Sequence, residues 1–248
     1  MAGSLSQEPV VRRATSLTMR EQFRSLITAI VGDDRIKVWE LLKEDDALAN
    51  RQVAEGHYEN RIAHWIYAGD TALHIAAAGH RVEIARMLLN TGAEVRAAGN
   101  HLQSQPLHYA ADGALNHPFW DAEQQVAMLR LLLDAGAVID APDKNGATAL
   151  HHAVRNRCSA AVKCLLSAGA AVTARNKSGS TPFHVAVQSL DRRETNVERA
   201  RAAQREIIEA FLEYGVSPSL PDAKGKTVAD TARSSWIRQI LCGNLVIV

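Results

Sequence analysis

The sequence predicts an all-α solenoid, a row of stacked helix-turn-helix units joined by short β-turn fingers. Three observations predict it. A short phrase recurs along the chain: "TALHIAA" from Thr71, "QPLHYAA" from Gln105, "TALHHAV" from Thr148 and "TPFHVAV" from Thr181. A glycine follows an apolar Leu-Leu stretch 21 residues after Thr71 and after Thr148, and the next phrase starts 12 residues beyond Gly136, Gly169 and Gly215. Aromatics make up 5% of a chain that is 47% hydrophobic, a balance that suits packed helices better than sheets.

Each element follows from its residues. Thr71, Thr148 and Thr181 stand where a hydroxyl caps the first free N–H groups of a helix. Pro106 and Pro182 fall in the first helical turn, where proline is tolerated. Small Ala pairs let paired helices approach closely. Leu88-Leu89, Leu132-Leu133 and Leu165-Leu166 supply the stacking core, and Gly92, Gly136, Gly169 and Gly215 end the second helices in the left-handed region. One such unit cannot bury its apolar face alone, so the units must stack. The anchor histidines His74, His108, His151 and His184 are spaced by 34, 43 and 33 residues, and Asp230 takes the same place 46 further on.

This pattern resembles the ankyrin repeat over roughly residues 20–242. The resemblance implies about six units: an N-terminal cap over 20–50, an insertion over 51–69, repeats over 70–102, 103–142, 143–175 and 176–221, and a C-terminal cap over 222–242. A disordered tail is expected over 1–19 and a short one over 243–248. The resemblance also implies that the four anchor histidines bridge neighbouring units, and that the chain binds proteins without catalysis or cofactors.

Several functions are disfavoured. A net charge of +1 gives no global field toward nucleic acid or an anionic membrane. No apolar run approaches the ~20 residues of a membrane span, and "MAGSLSQEPVVRRATSLTM" lacks the apolar core of a signal peptide. Within it "RRATS" resembles a basic-directed kinase site at Thr15 or Ser16. The odd count of three cysteines fits a reducing compartment, with Cys164 expected as a buried free thiol, and the chain is expected to be a cytoplasmic monomer. Ten histidines form no metal-ligand spacing. "GKT" at Gly225 lacks the glycine a phosphate-binding loop needs five residues earlier, where Leu220 stands.

Function is expected on the concave face, the fingertips and the insertions. His101, Lys144, Asn145, Lys177 and Lys224 belong to successive fingers, a row that turns basic and suits an acidic partner segment. Asp112, Arg155 and Asn156 fall at the ends of inner helices, facing the concavity. The insertion at 51–69 carries Tyr58, Trp65 and Tyr67, and the stretch 113–125 adds His117, Phe119 and Trp120. Phe119 and Trp120 either fold back on the scaffold or anchor a protein partner, which the sequence does not identify. Asp121 is placed to cap the helix that follows. A third insertion, 189–206, keeps helical spacing through Val197, Ala200, Ala203, Ile207 and Phe211 and is expected to lengthen a second helix. The alternative is a small-molecule or catalytic pocket between 51–69 and 113–125. Convergence of Tyr58, Trp65, Asp112, His117 and Trp120 on a concave, enclosed pocket with perturbed titration would favour it, and an open ridge would favour protein binding.

Overall fold

Helices of five to seven residues cannot stand alone in water, where about 12–15 residues are needed even for good helix formers. Yet helices this short form the inner layer, so stacking must hold them. The computed structural model describes residues 8–188 and 197–243. It begins with α1 (Glu8–Gly32) and α2 (Arg35–Glu44), a 3-10 turn (Asp46–Asn50) and the strands β1 (His57–Glu59) and β2 (His64–Ile66). Inner–outer helix pairs follow: α3 (Ala72–Ala78) with α4 (Val82–Asn90), α5 (Pro106–Ala111) with α6 (Ala122–Asp134), α7 (Ala149–Arg155) with α8 (Ser159–Ser167), α9 (Pro182–Ala186) with α10 (Val197–Glu213), and α11 (Val228–Thr231) with α12 (Ser235–Gly243). α1, α3, α5, α7, α9 and α11 touch in series, and α2, α4, α6, α8 and α10 form the second layer. Leu88, Leu132 and Leu165 are fully buried between the layers.

One histidine per repeat sets both the helix start and the stacking. The N–H groups of Thr71, Gln105 and Thr148 donate to Nδ1 of His74, His108 and His151, at 3.0, 3.0 and 3.2 Å. The Thr181 hydroxyl lies 2.7 Å from Nδ1 of His184. With Nδ1 accepting, the ring proton sits on Nε2. That nitrogen donates to the next repeat: His74 to Ser104 O (3.0 Å), His108 to Ala147 O (3.2 Å), His151 to Ser180 O (3.1 Å) and His184 to Lys226 O (3.0 Å). In the last unit Asp230 accepts from Thr227 N (3.0 Å) and so caps its own turn.

The fingers repeat a second device. Oδ1 of Asn100, Asp143, Asn176 and Asp222 each accepts two backbone N–H groups from the turn it opens. Neighbouring fingers are then tied by Lys144 N to Leu102 O (2.7 Å), Lys177 N to Asn145 O (2.8 Å) and Ala223 N to Gly179 O (2.9 Å). Gly146, Gly179 and Gly225 supply the positive φ these turns require.

Four features depart from, or refine, the sequence expectations. α1 reaches back to Glu8 where a tail was expected over 1–19; Ala, Leu, Arg and Met in this stretch let the cap helix propagate. Residues 1–7 and 244–248 lie outside the described residues, and "RRATS" falls on the backbone of α1. The insertion 51–69 holds a two-stranded antiparallel hairpin. Cys158, not Cys164, is the fully buried thiol; Cys164 faces the helix flank and is half-buried. The third insertion does lengthen an outer helix, since α10 begins at Val197, with 189–196 outside the described residues.

Two glutamines rescue the repeats whose helices are joined by long links. In the tight links, Arg81 N donates to Ala76 O and Cys158 N to Ala153 O, both at 2.9 Å. The corresponding carbonyls in the lengthened links are Ala110 O and Ala186 O. Gln125 Nε2 reaches the first (3.1 Å), and Gln204 Nε2 reaches the second (2.7 Å) together with Gln188 O (2.8 Å). The side-chain amide replaces the backbone N–H that a tight turn supplies. Gln204→Leu should therefore destabilise the protein by about 1–3 kcal/mol, because two carbonyls lose their donor. Urea denaturation checks this; an unchanged midpoint would mean that the amide is dispensable.

Candidate functional site

The hairpin is held by its pairing, His57 with Ile66, Tyr58 with Trp65 and Glu59 with His64. Tyr58 and Trp65 face each other edge-on with ring centroids 5.8 Å apart, and Tyr67 stacks on Trp65 at 6.4 Å. His101, in the first finger, meets Tyr67 edge-on at 5.0 Å. Across from the hairpin runs the 112–121 loop. His117 Nε2 lies 2.9 Å from Asn60 O at the hairpin turn, and so ties the two insertions together. Asp121 caps α6 as expected, accepting from Glu123 N (2.7 Å) and Gln124 N (3.2 Å). Phe119 and Trp120 divide between the two fates open to them. Trp120 is half-buried against the core, while Phe119 is 68% exposed.

Beneath both insertions lies Asp112. Its carboxylate faces His64 Nε2 at 3.2 Å and His152 Nδ1 at 3.1 Å, accepts from Asn156 Nδ2, and has Arg155 Nη2 at 3.7 Å. His152 then reaches Asp143 Oδ2 through Nε2 at 3.4 Å. Burial alone would raise the Asp112 pKa; the charge and hydrogen bonds of His152 and His64 outweigh it and hold the carboxyl well below the usual range. Burial alone would lower the pKa of His152, but Asp112 and Asp143 outweigh it and raise it. Nearby, buried Asp70 accepts from Tyr109 Oη (2.8 Å), Asn100 Nδ2 (2.7 Å) and Tyr67 N (2.7 Å), so it orients the floor of the site.

These groups enclose a cavity of about 210 Å³. Nine of the sequence-predicted residues line it: Tyr58, Trp65, Tyr67, Asp112, His117, Phe119, Trp120, Arg155 and Asn156. Lys144, Asn145, Lys177 and Lys224 do not; they stand exposed along the finger row, and His101 joins the aromatic group only through Tyr67. The sequence reading missed three residues that build the site. His64 and His152 meet Asp112 from 48 and 40 residues away, a separation that no local pattern reveals. Gln125 did leave a signal. It stands eleven residues before Gly136, just as Gln204 stands eleven before Gly215. Cys158 lies under Gly113, with its thiol pushed up to about 12 by burial. No helix among the described residues is long and apolar enough to cross a membrane.

The family model for ankyrin repeats matches residues 25–118 and again 119–222. The chain belongs to the ankyrin-repeat family. Ankyrin repeats as a class mediate protein–protein interaction. Ankyrin repeat and SOCS box protein 6 of Mus musculus is 34% identical over 84 residues, 34% of this chain and 18% of that protein. Its Homo sapiens counterpart is 28% identical over 151 residues, 60% of this chain and 32% of that one. The chain thus spans at most about a third of those relatives. Among solved structures, an ankyrin repeat domain from Acinetobacter baumannii superposes with a TM-score of 0.61 at 26% identity, covering 89% of this chain and 96% of that one.

The buried histidines of this ankyrin stack have a consequence for pH. Burial lowers His80 and His108 to about 4, and lowers His74 and His151 in the same direction. A group depressed in the folded state contributes stability that is complete above the unfolded value near 6.5 and is lost as pH falls toward the folded one. Roughly 3 kcal/mol for each of His80 and His108 is at stake. His152, raised in the folded state, works in the opposite sense and is outnumbered. The urea midpoint should fall steadily from pH 7 to pH 4; a higher midpoint at pH 5 than at pH 7 would contradict the neutral ladder.

Proposed function

We propose that the chain is a non-catalytic protein-binding module that grips its partner along two surfaces, the aromatic rim of the Asp112 cavity and the basic finger row. One observation carries the proposal: Tyr58, Trp65 and Phe119, 45%, 53% and 68% exposed, crowd a single rim on a rigid, hydrogen-bonded base. Exposed aromatics grouped around a depression are what binding hot spots are made of. The fingers add Lys144, Lys177, Lys224 and Lys226 in a ladder whose backbone bonds fix their spacing. An acidic partner suits that row, and with a net charge of +1 nucleic acid does not need to be invoked. Unpaired cysteines suit a monomer working in a reducing, cytoplasmic setting.

The catalytic or small-molecule alternative draws on the convergence of Tyr58, Trp65, Asp112, His117 and Trp120 on one cavity. Size weighs against it. About 210 Å³ falls below the ~300–1,000 Å³ of typical small-molecule sites. Chemistry weighs against it too: Asp112 is engaged on every side, and the thiol beneath it is held protonated.

Affinity capture from the native host, compared between wild type and a Trp65→Ala/Phe119→Ala double variant, tests the proposal. A protein captured by the first and lost by the second supports it; identical captures remove the rim from the function. Phe119→Ala should leave stability within about 0.5 kcal/mol. Trp120→Ala, which empties a packed site, should cost about 2–3 kcal/mol; equal effects in denaturation would mean that the indole is not part of the scaffold. Reversing Lys144, Lys177 and Lys224 to Glu should leave the thermal midpoint nearly unchanged and slow association with the captured partner at low salt. Unaltered association kinetics would remove the fingers from the function.

A further inference from the structure

We propose that the Asp112 cavity is a socket for one acidic side chain, an Asp or Glu carried on an extended segment of the partner protein. This deepens the protein-binding proposal above and rests on it. Four observations lead here.

The first is size. A volume of about 210 Å³ suits a single side chain, and free ligands usually occupy more. The same wall, Arg155 and Asn156, also lines a neighbouring depression of about 190 Å³, so an extended segment meets two adjacent sockets.

The second is charge. Arg61, Arg81 and Arg155 line the cavity, and Asp112 is its one acidic group. Asp112 is already met by His64, His152, Asn156 and Arg155. Positive charge is therefore in excess at the walls, and Arg155 keeps 55% of its side chain exposed.

The third is donor supply. Among the described residues, the buried side-chain N–H groups without an acceptor are Arg81 Nε and Trp120 Nε1, and both residues line this cavity. Buried donors are ordinarily paired, so two unpaired ones among the residues lining one cavity mark its wall as short of acceptors; Arg81 is otherwise anchored through Nη2 on Val31 O (3.2 Å).

The fourth is access. Gly113 lets the Trp120 indole sit where it does, since a Cβ there would come within 2.6 Å of Trp120 Nε1 and 2.5 Å of Cys158 Sγ. A Cβ at Gly79 would meet Ile62 Cγ2 at 2.7 Å. Two bare backbone positions thus let Trp120 and Ile62 pack closely into the walls. Trp65 and Phe119 stand at the mouth, ready to cover an apolar neighbour of the acidic residue. A carboxylate seated against Arg61 and Arg155 makes charge-assisted hydrogen bonds, roughly twice as strong as neutral ones.

The test uses the full chain and a phage-displayed library of random peptides. Enriched peptides should share an Asp or Glu next to an apolar residue. In the best synthetic peptide, Asp→Asn or Glu→Gln should weaken binding about tenfold. Arg155→Gln in the protein should weaken the acidic peptide by a similar factor and the amide peptide hardly at all, the signature of direct coupling. Arg61→Gln, an exposed hairpin position, repeats the cycle if Arg155→Gln lowers the thermal midpoint. Enriched peptides without an acid, the absence of any enriched peptide, or no coupling with either arginine overturns the proposal. Acetate and succinate form the other arm: saturation by either in the micromolar range assigns the cavity to a free small acid and also overturns it. A partner whose capture survives Trp65→Ala, Phe119→Ala and Arg155→Gln but fails with the reversed fingers sinks the socket while leaving protein binding intact.

Discussion

The stack depends on a neutral imidazole that faces two ways. In three repeats Nδ1 of His74, His108 and His151 accepts a hydrogen bond from the N–H that begins the inner helix, and this leaves Nε2 to donate outward to the next repeat. One ring thereby couples the local start of a helix to the register of its neighbour. The coupling matters because inner helices this short have almost no stability of their own. Burial keeps the His74, His108 and His151 rings uncharged, which is the condition for Nδ1 to accept at all. The same logic explains the end of the array. Asp230 caps its own turn but, as a carboxylate, has no ring N–H to donate onward.

With register held by the ladder, residues can be added elsewhere without disturbing the stack. Both insertions around the cavity hang from fixed points, His117 on Asn60 and His64 on Asp112. Asp112 joins the hairpin, the second repeat and the third, and through His152 it reaches the second finger. Half-buried charge clusters of this kind seldom add much net stability, because desolvation offsets attraction. What they contribute is geometry, since removing one member leaves another charge without its partner. The cavity walls belong to different repeats, and this cluster keeps them at fixed separation, so little ordering remains for a partner to impose on binding.

The repeats were legible in the sequence because they are periodic. Periodicity placed the anchor histidines, the terminating glycines, the fingers and the extension of α10. It also set Asp112, Arg155 and Asn156 at the ends of inner helices, where they meet. The hairpin was not legible, because strands of three residues are too short to display alternation. His64 and His152 were not legible as partners of Asp112, since only folding brings them together. Trp120 and Phe119 could not be told apart, because adjacent aromatics in one loop carry the same composition and differ only in which way the chain turns after Pro118. The N-terminal boundary was misplaced for another reason. Propensity there favours helix, while the polar character of the segment suggested a tail, and attachment to the cap helix settled the competition toward helix.

The glutamines give a rule for where this solenoid accepts new residues. A tight link between inner and outer helix closes the inner helix with a backbone N–H, at Arg81 or Cys158. Lengthening the link moves that N–H away, which would leave Ala186 O short of a donor and Ala110 O with His80 Nε2 at 3.1 Å alone, an expensive loss in a buried place. A glutamine at the same position of the outer helix restores the donor from its side chain, whatever the length of the intervening loop. The position is Arg81 or Cys158 where the link is short and Gln125 or Gln204 where it is long. Loop length is thus uncoupled from helix termination. That uncoupling is what lets the 112–121 loop double back over the hairpin, bring Phe119 to the surface and close the cavity without altering the stack beneath it.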